Sequence, residues 1–218
     1  MLTKIISGGQ TGADRVALDF AIEFDIPHGG WIPRGRKAED GVLPDKYQLQ
    51  EMSTSSYPKR TEQNVVDSDG TLIFSHGKLT GGSALTMKLA KKHDKPCLHV
   101  DLNYLQGFLA AENINSWIAD HKFKVLNIAG PRASKDPLIY NEVYSTLRAV
   151  YLLGTITDNL EGTGRKTGKI PQTVDQAVVR LISELQLKDR VALASMPESE
   201  LEGYVTTLGL YIRNNYGL

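Results

Sequence analysis

The feature that most constrains the fold of this chain is a short apolar strand followed directly by a glycine turn and a helix. Residues 2–6 are predicted to form the strand and Ser7, Gly8 and Gly9 the turn, and the helix follows within the run IISGGQTGADR. Paired glycines at such a turn leave backbone N–H groups open, because no Cβ stands in front of them. The first helical turn adds unpaired donors and the positive end of the helix dipole. The stretch therefore predicts an anion site. Neither G-x-G-x-x-G nor G-x-x-x-x-G-K-[ST] is satisfied, and a tight turn without a ligand is the alternative.

The same arrangement recurs after a second strand. Residues 70–75 (GTLIFS) predict a buried strand, and the run LTGGS at 79–83 then opens another helix. Ligands of open α/β sheets lie at the carboxyl ends of strands where the winding reverses. Two glycine turns at that edge predict a composite site in which two helix N-termini hold one anion. The candidate ligand-binding residues are Ser7, Gly8, Gly9, Gln10, Thr11, Gly12, Arg15, Arg36, Thr80, Gly81, Gly82 and Ser83.

Strands and helices alternate through the first 154 residues. Further strands are predicted at 28–32, 96–100 and 124–129, and further helices at 56–67, 104–121 and 142–151. This alternation favours a Rossmann-like, three-layer α/β fold, with a parallel sheet and helices on both of its faces. Residues 1–154 are therefore predicted to form a Rossmann-like ligand-binding domain.

The last part of the chain changes character. Residues 155–169 are polar and glycine-rich and are predicted to be a linker. Residues 170–218 are predicted to form a small helical domain, in which Thr173 and Gln176 make a capping box before an amphipathic helix. Because so short a segment makes a small core, we expect it to dock on the first domain or on a second subunit. A homo-oligomer is therefore predicted.

A long polar loop follows the second predicted strand. Residues 33–46 read PRGRKAEDGVLPDK, which places Arg36 beside Glu39 and Asp40. Loops of this length are uncommon in compact domains unless they are functional or disordered. The loop is predicted to hang over the same sheet edge as the first glycine turn, and a solvated loop is the alternative.

Two further groups of residues are weaker candidates. Arg60 and Asn64 lie on one face of the helix predicted at 56–67, which is equally typical of a surface face. The run Gly130-Pro131-Arg132 follows the strand at 124–129 and is a third contributor at the carboxyl edge or, alternatively, a plain turn.

Composition and charge limit the kinds of binding partner that the sequence implies. The formal net charge is zero and the isoelectric point is near 7, so neither nucleic acid nor an anionic membrane is implied as a partner. With no apolar run near 20 residues and a strand at the start instead of a leader, we expect a cytoplasmic protein. Cys97 is predicted to be a small core residue. The five histidines lack metal-ligand spacing, so no directly bound metal ion is expected.

Several separate stretches together resemble the molybdenum (molybdenum-cofactor) carrier family. They are ISGGQTGADR, GRKAEDG, RTEQNV, SDGTLIFS and LTGGSALT, and they lie within residues 1–150. That family belongs to the Rossmann-like superfamily that includes the lysine-decarboxylase-like phosphoribohydrolases and the DNA-processing DprA proteins. The runs KIPQTVDQAVVRLISEL and LGLYIRNNYGL near the C-terminus resemble a small bacterial domain of unknown function.

The resemblance implies a binding protein, a carrier or sensor, for an anionic pterin or nucleotide-like ligand. Molybdenum cofactor (molybdopterin) is the implied cargo, in which molybdenum arrives already bound to the pterin. The implied cradle consists of Gly8, Gly9, Thr11, Gly12, Gly81, Gly82 and Ser83.

The enzymes of the superfamily carry P-G-G-x-G-T-x-x-E at the second glycine turn. Here the corresponding run is Thr80–Lys88, so Lys88 stands where the enzymes have glutamate. The missing carboxylate counts against cleavage of an N-glycosidic bond. The alternative is a nucleoside monophosphate phosphoribohydrolase-like enzyme, a nucleotide N-glycosidase, in which Glu39, Asp40 or Asp14 supplies the acid.

Overall fold

The computed structural model describes residues 2–162 of the chain. The predicted helical domain at 170–218 lies outside the described residues. In chain order the elements are β1 (Lys4–Ile6), α1 (Ala13–Glu23), β2 (His28–Gly29), β3 (Trp31–Ile32), β4 (Lys37–Ala38), β5 (Gly41–Val42), β6 (Gln50–Glu51), α2 (Tyr57–Val66), β7 (Gly70–Ser75), α3 (Gly81–Lys92), β8 (Cys97–Asp101), α4 (Gly107–His121), β9 (Val125–Ala129) and α5 (Ile139–Gly162). Residues 155–169 were predicted to be a linker. In the structure α5 extends as far as Gly162, so residues 155–162 belong to this helix.

Five of the strands form one parallel sheet in the order β2-β1-β9-β7-β8. The register places Ile5 beside both His28 and Leu126, and Leu72 beside Leu98. With helices packed on the two faces, this confirms the predicted Rossmann-like α/β fold. None of the helices in residues 2–162 is both long and apolar enough to span a bilayer.

The two faces of the sheet differ in polarity. The main core joins α1, α4 and α5 to one face, where Leu72, Phe74 and Ile128 are fully buried. Helices α2 and α3 pack together over the other face, which carries buried polar side chains such as Thr71 and Asn127. Successive strand residues alternate between faces, so one face becomes core and the other can border a polar cavity.

Cys97 lies under the second helix layer. Its side chain packs against the small cluster formed by Val65, Leu89 and Ala90, and it is half-buried. Burial raises the pKa of the thiol to about 11. The thiol is therefore protonated at neutral pH and behaves as a small apolar packing group.

The segment predicted as one strand at 28–32 is two strands. β2 joins the main sheet, whereas β3 pairs in parallel with β6 in a separate two-stranded sheet. Gly30 lies between them with φ of 119°, and a Cβ there would stand 2.2 Å from the carbonyl oxygen of Ser7. The glycine pair therefore marks a close approach of two backbones and redirects the chain.

One arginine, Arg36, stabilises the conformation of the long polar loop. The Arg36 guanidinium donates to four backbone carbonyl oxygens at 2.9–3.2 Å, which are those of Leu43, Pro44, Tyr47 and Leu49. The side chains of Leu43, Tyr47 and Leu49 form a second small core with Leu18 and Ile32. Before this point, β4 and β5 form an antiparallel hairpin with Glu39 and Asp40 at its tip.

Candidate functional site

A cavity of about 800 Å³ opens at the carboxyl edge of the sheet, between its polar face and helices α2 and α3. The carboxyl ends of β7 and β9 form its floor through Ser75 and residues 127–130. From the predicted ligand-binding set, the residues that line the cavity are Gly8, Gln10, Thr80, Gly81, Gly82 and Ser83. This is the position at which open α/β sheets bind ligands.

The start of α3 faces this cavity. Thr80, the N-cap, has extended backbone angles and makes no side-chain capping bond. The first N–H groups of a helix have no carbonyl partner within it, and they carry the positive end of the helix dipole. Gly81 and Gly82 are exposed, and a Cβ added to either would meet nothing within 4 Å. The second glycine turn therefore presents open donors to the cavity.

The first glycine turn is largely covered by the protein itself. The N–H of Ala13 donates to the carbonyl oxygen of Pro131 at 3.2 Å, and that of Thr11 donates to Gln10 Oε1 at 3.0 Å. At Gly12, with φ of 75°, a Cβ would stand 2.4 Å from the Pro131 oxygen. At Gly9, with φ of 72°, it would meet Leu49 and Leu43.

The loop between β9 and α5 thus closes over the first turn. Sequence spacing could not show this contact, because it joins residues more than a hundred positions apart. The buried hydroxyl of Ser7, another predicted site residue, donates to the Ile128 carbonyl oxygen at 2.6 Å. The sharing of one anion between the two turns stays a prediction.

A buried ion pair lies between the two turns. Arg60, on α2, donates from Nη1 to Asp14 Oδ2 at 3.2 Å, and both side chains line the cavity. Burial raises the pKa of Asp14 although the neighbouring guanidinium opposes the shift. Arg60 is 9% exposed, and its Nε has no hydrogen-bond partner within residues 2–162. The guanidinium of Arg60 lines the cavity, where its charge favours an anionic ligand.

Arg60 also explains Gly8. A Cβ at Gly8 would stand 1.3 Å from Arg60 Nη1 and 2.7 Å from Asp14 Oδ2. A glycine at position 8 therefore leaves room for the Arg60 side chain, in addition to leaving the backbone open. Arg60 was not among the predicted ligand-binding residues. Its position on the same helix face as Asn64 was the sequence feature that could have identified it.

Arg15 and Asp40 form a bidentate pair outside the cavity. Arg15 Nη1 and Nη2 donate to the two carboxylate oxygens of Asp40 at 2.9 and 3.0 Å, and the guanidinium lies 5.3 Å from the ring centroid of Tyr47. The hydrogen bond from Arg15 lowers the pKa of Asp40. Arg15 and Arg36, both predicted to bind ligand, are thus placed where they hold the loop at 33–49, and neither lines the cavity.

Glu39, at the tip of the same hairpin, does line the cavity. Its carboxylate accepts hydrogen bonds from the hydroxyl of Thr11 and from the N–H and hydroxyl of Ser134, the latter two at 3.1 and 2.6 Å. Arg132 Nε lies 3.3 Å from Oε2 and forms an ion pair with it. Burial opposes the charge on Glu39, but the hydrogen bonds from Ser134 and Thr11 outweigh it and lower the pKa. The carboxylate is therefore charged at neutral pH.

The remaining charges of the cavity are mostly positive. Lys78 and Lys135 line it, and neither takes part in an ion pair within the described part of the chain. His76 lies between two carboxylates, with Nδ1 2.7 Å from Asp136 and Nε2 2.9 Å from Glu142. Burial disfavours the imidazolium, but both carboxylates favour it more strongly and raise the pKa of His76.

No three His, Cys, Asp or Glu side chains of residues 2–162 lie close enough together to hold a metal ion. The cavity is instead equipped with N–H groups, a guanidinium and ammonium groups. These are donors suited to oxyanions and polar heterocycles.

The fold and the site together define a Rossmann-like α/β protein with a polar cavity at the carboxyl edge of its sheet. Residues 5–151 match the model of the circularly permutated YpsA SLOG family, and the chain belongs to that family. Residues 170–218 match a domain of unknown function, DUF6794.

A solved structure is closely similar. It is the crystal structure, at 1.45 Å resolution, of a protein named "putative molybdenum carrier protein" from Syntrophus aciditrophicus SB. The two chains are 62% identical, the match covers 68% of this chain and 94% of that one, and the TM-score is 0.68. The resemblance to the molybdenum carrier family is confirmed.

A second solved structure, of (E)-4-hydroxy-3-methyl-but-2-enyl diphosphate reductase, is 13% identical. Its match covers 67% of this chain and 59% of that one, and the TM-score is only 0.31. Comparison with curated proteins gave no match.

Proposed function

We propose that this protein binds and carries a small anionic ligand, an anionic pterin such as molybdenum cofactor or a nucleotide-like compound, in the cavity between α2, α3 and the sheet. The observation that carries the proposal is the open start of α3, whose N–H groups face a cavity that is also lined by the Arg60 guanidinium. The name of the 62% identical relative supports molybdenum cofactor as the cargo.

The cavity suits such a ligand in size and in charge. A volume of about 800 Å³ lies within the ordinary range of roughly 300–1,000 Å³ for small-molecule sites. Lys78 and Lys135, which form no ion pair within the described residues, add positive charge at its wall. The polar side chains of Asn127 and Ser75 on its floor offer hydrogen-bond partners for a heterocycle.

Mass spectrometry of the intact protein tests this proposal. The protein is purified from a host that makes molybdopterin, and a thermal-shift panel of pterins and nucleoside phosphates is run beside it. We expect a retained pterin or a stabilising nucleotide with the natural sequence and its loss in Gly82→Val. The branched side chain of Gly82→Val fills the approach to the α3 N–H groups without a clash inside the protein.

Gly154→Val is the matched control, since Gly154 lies in α5 and does not line the cavity. If neither a pterin nor a nucleotide binds, the carrier proposal is wrong. If Gly82→Val binds as well as the natural protein, the ligand lies elsewhere.

The hydrolase alternative needs a carboxyl group that can act as an acid in the cavity. Asp14 lines the cavity and burial raises its pKa, but Arg60 holds it in an ion pair. Asp40 is held by Arg15 outside the cavity, and Glu39 accepts three hydrogen bonds and pairs with Arg132. Both carboxyls have lowered pKa values, whereas a general acid at neutral pH needs a raised one. Incubation with nucleoside monophosphates and chromatography for free base tests this alternative.

Cytoplasmic location and homo-oligomerisation are proposed on the grounds given by the sequence. The apolar side chains of Tyr104, Leu109 and Leu138 are more than half exposed, and a subunit contact would cover such surface. Size-exclusion chromatography with light scattering measures the oligomeric state, and a monomer at micromolar concentration would contradict it.

A further inference from the structure

The tip of the β4–β5 hairpin is held to the rest of the protein by polar contacts. Val42 is 72% exposed. Gln10 Oε1 accepts from the N–H of Glu39 at 2.8 Å, and the two acidic side chains of the tip make the contacts described above. The base of the hairpin is anchored by Arg36 and the buried Leu43. The tip can therefore lift without exposing apolar surface.

The donors around Glu39 form a pocket for an oxyanion. One carboxylate oxygen accepts from the hydroxyl of Thr11 and the N–H of Ser134. The other accepts from the hydroxyl of Ser134 and forms an ion pair with Arg132, whose Nε lies 3.3 Å away. Three converging hydrogen-bond donors and a guanidinium charge are what proteins use to hold a bound phosphate or carboxylate.

This pocket borders the main cavity. Glu39, Gln10 and Arg132 line the cavity, whereas Thr11 and Ser134 contact the Glu39 carboxylate without lining it. Lys135, which forms no ion pair within residues 2–162, also lines the cavity. A ligand in the cavity that carries an anionic group on this side therefore meets a set of donors already satisfied by a protein carboxylate.

We infer that Thr11, Arg132 and Ser134 form an oxyanion subsite, which the Glu39 carboxylate fills in the free protein and a phosphate group of the ligand takes over on binding. The inference deepens the proposed function and rests on it for the cavity being the ligand site. A phosphate group carries between one and two negative charges and three terminal oxygens. It therefore competes favourably with a singly charged carboxylate for the same donors.

Glu39→Gln should strengthen phosphate binding. If Glu39 contacted the ligand or acted as an acid, the substitution would weaken binding or leave it unchanged, whereas removal of a competing carboxylate strengthens it. A subsite occupied by its own side chain for nine-tenths of the time or more has an apparent affinity lowered tenfold or more. We therefore expect Glu39→Gln to bind inorganic phosphate at least about tenfold more tightly than the natural protein, measured by titration calorimetry at constant pH and ionic strength.

Two control variants assign the gain to this subsite. Asp45→Asn removes the same charge from the same polar loop, at a side chain that is fully exposed and 3.7 Å from Arg36, and it should leave phosphate binding unchanged. Adding Ser134→Ala to Glu39→Gln removes one donor without changing charge and should cancel most of the gain. A gain that persists in full in the double variant would overturn the inference.

Guanosine monophosphate separates the two sources of a phosphate group. A gain for both inorganic phosphate and guanosine monophosphate supports transfer of the subsite to a phosphate group of a larger ligand. If Glu39→Gln binds only inorganic phosphate more tightly, the subsite holds the free ion and not a phosphate group of a larger ligand, and that part of the inference is overturned.

A measurement on the natural protein covers the case in which Glu39→Gln does not fold. Saturating phosphate should speed amide hydrogen exchange in residues 37–42, because the displaced hairpin tip opens. Unchanged exchange, or equal or weaker phosphate binding by folded Glu39→Gln, would overturn the inference. Since these experiments use inorganic phosphate, their failure is distinguishable from a failure to retain a pterin.

Discussion

At Gly8 a charged side chain packs directly against the backbone. The Arg60 guanidinium occupies the space where a side chain at position 8 would be, and Asp14 lies directly beside it. Gly82, by contrast, borders open space and its φ is outside the left-handed region. These two glycines belong to similar sequence motifs and both line the cavity, yet Gly8 makes room for Arg60 whereas Gly82 leaves the space in front of it open.

Gly8→Ala should therefore destabilise the protein, whereas Gly82→Ala should not. We expect Gly8→Ala to lower the free energy of unfolding by about 1–3 kcal/mol, the usual cost of inserting a methyl group into a packed site. Gly82→Ala should remain within about 0.5 kcal/mol of the natural protein, as exposed substitutions usually do. Urea denaturation of the two variants measures both values, and an equal effect would contradict the placement of Arg60.

The glycine motifs show what could be predicted at single residues. Their composition identified the sheet edge and the open start of α3, because paired glycines directly after a buried strand are typical of a strand-to-helix turn. At Gly9 and Gly12 the glycines instead allow positive φ angles and close contacts with residues far along the chain. A sequence pattern does not distinguish a turn opened for a ligand from one opened for another loop.

At the scale of elements, His76 connects three parts of the fold. It follows β7, and its two carboxylate partners lie in the loop before α5 and in the first turn of α5. Two hydrogen bonds to carboxylates require both ring nitrogens to donate, which is the charged imidazolium. This histidine therefore joins β7 to the helix that covers the main core.

His76 should make stability depend on pH. Its folded-state pKa lies above the ordinary value of 6.5, so its contribution is fully present below pH 6.5. The contribution is lost as the pH rises through the folded-state pKa. We expect the difference in unfolding free energy between the natural protein and His76→Gln to shrink from pH 6 to pH 9.

His121→Gln is the control, because His121 is exposed at the end of α4 and contacts the Trp117 carbonyl oxygen. A difference for His76→Gln that stays constant over this range would show that the imidazolium does not stabilise the fold.

Element boundaries were predictable where a periodic pattern was long and buried, as in β7, which is a strand over the predicted residues 70–75. They were not predictable where tertiary contacts decide. The strand at 28–32 divides at Gly30 because Ser7 lies against it, and α5 runs on to Gly162 through a polar sequence. The hairpin at 37–42 depends on contacts of its tip with Thr11 and Ser134, which local sequence does not contain.

At the scale of the whole molecule, charge is distributed unevenly despite a formal net charge of zero. The acidic side chains around the cavity have partners, as Asp14 has Arg60, Glu39 has Arg132 and Asp136 has His76. The two lysines of its wall do not, within residues 2–162. The cavity wall therefore carries two lysine charges that no described carboxylate offsets, and such charge would favour an anionic ligand.

Removing the two lysine charges should weaken anion binding. We expect the double variant Lys78→Gln, Lys135→Gln to bind guanosine monophosphate or a pterin phosphate about thirtyfold more weakly, because each of the two charges near the ligand contributes on the order of 1 kcal/mol. The natural affinity should also fall with added salt, and that dependence should be smaller in the variant.

Lys88→Gln removes a similar exposed charge from α3 without touching the cavity. It should bind as the natural protein does. Equal weakening by Lys88→Gln and by the double variant would indicate a general effect of net charge.

The position of β9 has a consequence for how the chain is made. β9 pairs with β1 on one side and β7 on the other, yet it is the last strand of the sheet to leave the ribosome. Until residues 125–129 emerge, the β1–β2 and β7–β8 pairs have no strand between them, and each nascent pair presents an unpaired inner edge. Such edges are sites at which other chains can pair. A chain that stops before residue 125 therefore loses the centre of its sheet, and synthesis must pass that point before the two halves can join.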